Sequence, residues 1–159
     1  LDFFGVNIYT GVKVGVDKDG RAVDMKEKDG YPRTAFYWPL TPEALYWGPR
    51  FYYERYKKPI IITENGMSSI DWVSLDGQVH DPQRIDFLER YLRELKRAAE
   101  EGIDIRGYFH WSIMDNFEWA QGYLERFGLV YVDYGSGERI LKDSAYWYRE
   151  LINTNGRKL

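Results

Sequence analysis

No cysteine occurs among the 159 residues, which excludes disulfide staples and zinc–thiolate sites and suits a reducing, cytoplasmic compartment. Histidine is almost as scarce. His80 and His110 are the only two, neither sits in a carboxylate cluster, and both read as structural, so no metal site is expected. Long apolar runs are missing as well: none approaches the ~20 residues that cross a bilayer, and no charged-then-apolar leader is visible, so neither a membrane partner nor a secretory signal is expected. Charge of one sign is not in excess. The chain carries 22 basic against 25 acidic side chains, for a net charge of −3, without a basic block, which argues against nucleic acid as a partner. Asp17-Lys18-Asp19-Gly20 has the opening of a calcium loop, but its glycine comes too early and Lys28 stands where a bidentate glutamate is needed. No cofactor is expected.

Aromatic residues, by contrast, are abundant. They make up 18% of the chain, as 14 Tyr, 8 Phe and 6 Trp. Many fall in loop-like stretches, where flat rings with polar tips suit a surface facing sugars or other polyols.

The pattern along the chain is strand, loop, helix, three times over. Phe3 to Tyr9 reads as a first strand with Asn7 and Tyr9 on one face. Val12 to Val16 and Arg21 to Val23 flank Asp19-Gly20 as a hairpin. Thr41-Pro42-Glu43 signals a helix start with Thr41 as cap, and Pro49 is expected to divide that helix into two pieces ending near Tyr56. Ile60-Ile61-Ile62 reads as a strand buried on both faces. The following Asn65-Gly66 could be a hairpin turn, but Met67 to Trp72 lacks the alternation of a partner strand. Asp81-Pro82 caps the next helix, whose stripe is read as Ile85, Leu88, Leu92, Leu95 and Ala99, with Asp86–Arg90 and Lys96–Glu100 on the solvated side; Gly102 ends it. Arg106 to Ser112 is a third strand and Leu129 to Tyr134 a short one turning at Gly135-Ser136-Gly137. A last helix opens at Asp143-Ser144 and is expected to bury Trp147, Leu151 and Tyr148. Asp81 and Arg84 read as structural. Such alternation is a parallel α/β pattern with long loops after each strand.

Polar or aromatic residues recur at the C-terminal ends of all three strands: Asn7 and Tyr9, then Glu64, then Trp111. Convergence of that kind is what a TIM-barrel active site requires. The segments Asp2-Phe3-Phe4-Gly5-Val6-Asn7-Ile8-Tyr9, Ile62-Thr63-Glu64-Asn65-Gly66 and Trp111 to Trp119 (WSIMDNFEW) resemble glycoside hydrolase family 1, the β-glucosidases. Gly122-Tyr123, Arg126-Phe127-Gly128 and Tyr131 to Tyr134 are similar too, so the likeness runs through essentially the whole chain.

The resemblance implies a (β/α)8 TIM barrel of which residues 1–159 supply about three βα units, the sixth to eighth, as the C-terminal part of a single catalytic domain. It implies a retaining β-glycosidase acting on β-glucosides, or galactosides or fucosides, with Glu64 as nucleophile. Tyr9 would donate a hydrogen bond to Glu64. Trp111 and Trp119 would pack against the sugar, Glu118 would accept from its outer hydroxyls, Phe127 would line the same subsite, Trp38 would face the leaving group, and Asn7 would lie near the nucleophile. Taken singly, the aromatic residues read as core, Glu118 as a solvated charge and Asp115-Asn116 as a helix cap. Ile8 and Leu141 depart from the family pattern, at positions where tyrosine and proline are frequent.

The larger departure is what the chain does not contain. A complete barrel takes roughly 250 residues, and the general-acid glutamate of a Thr-x-Asn-Glu-Pro segment is missing, as are the arginine and histidine of the early strands. One carboxylate cannot serve both retaining half-reactions. The expectation is therefore a piece of a longer enzyme, favoured by the start at Leu1 rather than methionine, whose partner is the missing N-terminal barrel portion. The alternative is a non-catalytic half-barrel that self-associates or binds a ligand without turnover.

Overall fold

The computed structural model describes residues 1–159. Three parallel strands form its centre: β1 (Phe4–Asn7), β4 (Ile60–Asn65) and β5 (Ile105–His110), in the order β1-β4-β5. Between β1 and the first helix the chain forms an antiparallel hairpin, β2 (Val14–Val16) with β3 (Ala22–Asp24), turning at Gly20 where φ is +79°. The Asp17 carboxylate holds that turn by accepting from the amides of Asp19 and Arg21. The helices α1 (Ala44–Tyr56), α2 (Pro82–Glu100) and α3 (Asp143–Asn153) follow the three sheet strands in turn, and a second hairpin, β6 (Val130–Val132) with β7 (Arg139–Leu141), precedes α3. Because β4 pairs in parallel on both sides, Asn65-Gly66 is not a hairpin turn.

Helix α1 is continuous through Pro49, contrary to the sequence expectation. The proline forfeits one backbone bond, yet Leu45, Tyr46 and Pro49 are all buried, and their packing against the core keeps the helix in one piece. Thr41 does not cap that helix. Its Oγ1 accepts from the amide of Gly11 at 2.8 Å, tying the start of the first loop to the helix entrance. The buried face of α2 is turned by about one residue from the stripe read in the sequence: Phe87, Tyr91 and Ala98 are inside with Leu88, Leu92 and Leu95, Ile85 is half-buried, and Ala99 faces out. In α3 Leu151 is buried, whereas Trp147 and Tyr148 are only half-buried.

The core lies on one face of the sheet. Ile60 and Ile62 are fully buried there among Leu45, Phe87, Leu88, Tyr91 and Leu95. Ile61 points the other way and is half-exposed, so the isoleucine run is covered on one face, not two. Its neighbours on the open face include Gly5, Thr63, Gly107, Phe3 and Phe109, with Phe3 48% and Phe109 61% exposed. Both ladders lose register beyond Ile62, between Val6 and Asn7 on one side and between Ile62 and Asn65 on the other. Such irregularities break the alternation of side chains and re-aim them. Glu64 sits at this break.

Candidate functional site

Each residue of Thr63-Glu64-Asn65-Gly66 meets a different part of the site. The Thr63 hydroxyl donates to Asn7 Oδ1 at 2.6 Å. The Glu64 carboxylate accepts from the Tyr9 hydroxyl at 2.7 Å. The Asn65 amide donates to the Ile8 carbonyl at 2.8 Å, and its Oδ1 accepts from the Tyr108 hydroxyl at 2.8 Å. At Gly66 an added methyl group would overlap the carbonyl oxygen of Trp111, so only glycine lets the strand that follows pass this close.

Aromatic rings wall one side. Tyr9 lies 5.1 Å from Trp38 and 6.2 Å from Phe127, centroid to centroid, and Phe36 stands 4.5 Å from Trp38. Ser68 brings the loop bearing Phe36 and Trp38 to this place. Its hydroxyl accepts from the amide of Phe36 at 2.8 Å and its carbonyl from that of Ala35. Phe127 is buried, while Asn7 is exposed. Trp111 donates through Nε1 to Glu118 Oε2 at 3.3 Å, joining those two candidates. The Trp111–Ser112 peptide is cis. Trp119 stands apart at 80% exposure, in a short 3-10 turn.

Burial pushes the Tyr9 hydroxyl far above the ordinary tyrosine range, and the hydrogen bond and charge of Glu64, then the charge of Glu118, push it further. Tyr9 is thus a permanent donor, and Glu118 lies near enough to be felt there. Beneath the site, burial raises the Tyr108 hydroxyl well above its usual value. Burial, with Arg84 adding to it, drives His110 down to about 3, so its ring is neutral; Nε2 lies 3.3 Å from the Phe127 carbonyl and Nδ1 is buried without a partner.

One large feature had little sequence signal. Arg84 and Lys142 are completely buried among three acids, Asp71, Asp81 and Asp115, each from a different segment. Arg84 donates to Asp81 at 2.7 Å, to Asp71 at 2.5 Å and to the Met67 carbonyl; Lys142 donates to Asp71 at 2.6 Å and Asp115 at 2.8 Å. Arg126 binds Asp115 at 2.6 Å, and Ser144 donates to Asp81 through both its amide and its hydroxyl. Asp115 is therefore an anchor for the loop bearing Trp111 and Glu118, not a helix cap. Asp81 and Arg84, three residues apart, were the only visible hint.

The arrangement offers one carboxylate, aimed by a neutral hydroxyl donor and flanked by rings and a second acid. Such a group can act as nucleophile or base. A cavity of 860 Å³ beside the start of α2 does not touch Glu64, whereas one of 520 Å³ at the end of β1 is lined by Asn7, Tyr9 and Trp38.

Residues 1–157 match Glycosyl hydrolase family 1. The chain is 48% identical over 158 residues to beta-glucosidase A of Thermotoga maritima, covering 98% of this chain and 35% of that protein. It is 52% identical over 126 residues to a bifunctional beta-D-glucosidase/beta-D-fucosidase of Bifidobacterium breve (76% and 27%), and 38% identical over 176 residues to a 6-phospho-beta-galactosidase of Staphylococcus aureus (96% and 37%). The Thermotoga maritima beta-glucosidase solved with castanospermine superposes with a TM-score of 0.88 at 46% identity, over 98% of this chain and 35% of that one. The chain thus spans about a third of the length of these relatives. On the match of its residues 1–157, it belongs to glycosyl hydrolase family 1.

Proposed function

We propose that residues 1–159 are the C-terminal portion, the sixth to eighth βα units, of one (β/α)8 catalytic domain. The complete protein is a retaining β-glycosidase of the cytoplasm that hydrolyses terminal β-D-glucosyl, galactosyl or fucosyl residues. Glu64 attacks the anomeric carbon while a general-acid glutamate outside these residues protonates the leaving oxygen; water, activated by that second group, then releases the sugar from Glu64. Tyr9 orients the carboxylate. Trp111, Trp119 and Phe127 contact the sugar, Glu118 accepts from its outer hydroxyls, Trp38 faces the leaving group, and Asn7 lies beside the nucleophile.

The observation that carries this reading is the 2.7 Å hydrogen bond from Tyr9 to Glu64 at the end of a central parallel strand. Chemistry in parallel α/β folds gathers at that end. The test is Glu64→Gln in the full-length protein, where removal of a nucleophile is expected to cost several orders of magnitude in kcat. With Glu64→Gly and added azide, a glycosyl azide of inverted anomeric configuration is expected. Turnover unchanged in Glu64→Gln refutes the assignment.

A further inference from the structure

Asn65 is completely buried beside Glu64, yet it faces away from the open side of the sheet. Its amide spans three strands. Nδ2 donates to the carbonyl of Ile8 just beyond β1, Oδ1 accepts from Tyr108 in β5, and its backbone carbonyl accepts from the amide of Trp111 at 2.8 Å. Ile8 is held a second time, because its own amide donates to the Glu64 carbonyl at 3.0 Å. Tyr9 is the next residue. A closed ring therefore runs from the Glu64 backbone to Ile8, through Tyr9 and its hydroxyl, and back to the Glu64 carboxylate. The ladder between β1 and β4 is irregular from Asn7 onward, so regular strand pairing does not fix that ring's size.

We propose that Asn65 is the positioning residue that sets the distance from the Tyr9 hydroxyl to the Glu64 carboxylate, with Tyr108 locking its amide. The inference rests on the reading of Glu64 as nucleophile. Asparagine suits the task because its amide donates on one side and accepts on the other, so it clasps two strands at once. Aspartate at this position would lack the donor to Ile8, and leucine would leave a carbonyl and a hydroxyl unpaired in the core. The Tyr108 hydroxyl, raised by burial, remains a donor at any pH of interest. Displacement of a reacting group by about 1 Å can cost on the order of 100-fold in rate.

The experiment is a double-mutant cycle in the full-length enzyme with an aryl β-glucoside, combining Asn65→Ala with Tyr9→Phe, with folding checked by thermal unfolding. Asn65→Ala is expected to lower kcat by about 10- to 100-fold with KM changed by no more than about 3-fold. In the Tyr9→Phe background, where no hydroxyl is left to position, the same change is expected to cost no more than about 3-fold. Equal losses in both backgrounds would overturn the proposal, as would an unchanged kcat. If Asn65→Ala does not fold, Tyr108→Phe takes its place in the cycle. It removes a single hydroxyl and is expected to lower kcat about 3- to 10-fold, again less in Tyr9→Phe; full activity in Tyr108→Phe would overturn the proposal. Glu64→Gln separates the two claims. Full turnover there removes the nucleophile reading itself, whereas an inactive Glu64→Gln with additive losses at Asn65 and Tyr9 removes only the positioning role.

Discussion

The α-carbon of Gly66 faces the carbonyl oxygen of Trp111 so closely that no side chain fits between them. The contact holds the end of β4 against the residue that follows β5. Gly66→Ala must push that peptide away, and overpacking of this kind costs about 1–3 kcal/mol or more. The expected outcome is a lowered unfolding midpoint in the full-length protein, with kcat reduced because Trp111 moves. A variant as stable and active as the parent would show that the segment yields without cost.

Lys142 is the second point of test. It has no exposure and two acidic partners, and burial followed by the nearby Arg84 lowers its pKa. Lys142→Met keeps the volume but leaves Asp71 and Asp115 short of a cation in a dry setting. Breaking a buried pair from one side costs about 3–5 kcal/mol. Urea unfolding is expected to register a loss of roughly 3 kcal/mol. A loss below about 1 kcal/mol would mean that Arg84 and Arg126 neutralise the site unaided.

His110 predicts an acid weakness. Its folded pKa of about 3 lies below the unfolded value near 6.5, so the stability it contributes is full above pH ~6.5 and is lost as pH falls toward 3. The slope attributable to this one group is at most about 1.4 kcal/mol per pH unit. Chemical unfolding at pH 7.5, 5.5 and 4.5, beside His110→Gln, checks it: the variant is expected to lose less stability between the first and last values. Parallel curves would assign the acid loss to other groups.

Glu118 bears on the choice of sugar. If it accepts from the outer hydroxyls, a phosphate at the sugar's 6-position meets a carboxylate, with repulsion of about 4 kcal/mol for unit charges 4 Å apart at an effective dielectric of 20. The expected outcome is faster hydrolysis of aryl β-glucosides or β-galactosides than of their 6-phosphates, although one relative is a 6-phospho-beta-galactosidase. Faster cleavage of the phosphorylated substrate refutes the role given to Glu118.

The open face of the sheet yields a prediction for residues 1–159 alone. Phe3 and Phe109 flank Gly5, Ile61 and Gly107 without cover, and β1 and β5 keep unpaired edges. Apolar surface and bare edges of this kind drive association. Sedimentation is expected to find self-association or a loosened, dye-binding state, with no hydrolysis; adding the remainder of the barrel is expected to restore both compactness and activity. A monodisperse monomer that hydrolyses aryl glucosides unaided contradicts this count of what the site needs.

How much of this was written in the letters differs from element to element. That Ile60–Ile62 is a strand, the Asp19-Gly20 turn and the polar ends of three strands were legible because they depend on local periodicity and turn chemistry; burial of the isoleucines on both faces was expected and is found on one. The ordered motifs around Glu64 were enough to reach the family. Continuity of α1 through Pro49 was not legible, since a local rule against proline is outweighed by burial that only the packed molecule supplies. The rotation of the α2 stripe toward Phe87 and Tyr91 has the same origin, because the neighbouring elements choose which side of a helix faces inward. Least legible were the partners of Asp71, Asp115 and Lys142, up to 71 residues apart, where charges that read as solvated become a buried lattice. The sequence by itself determined the three sheet strands, their parallel pairing and the carboxylate at the end of β4. The family likeness named Tyr9 as the partner of that carboxylate; only the tertiary structure decided how Asn65, Ile8 and Tyr108 hold the pair, because hydrogen bonds across strands depend on register, and register here is set by a break that no period in the sequence encodes.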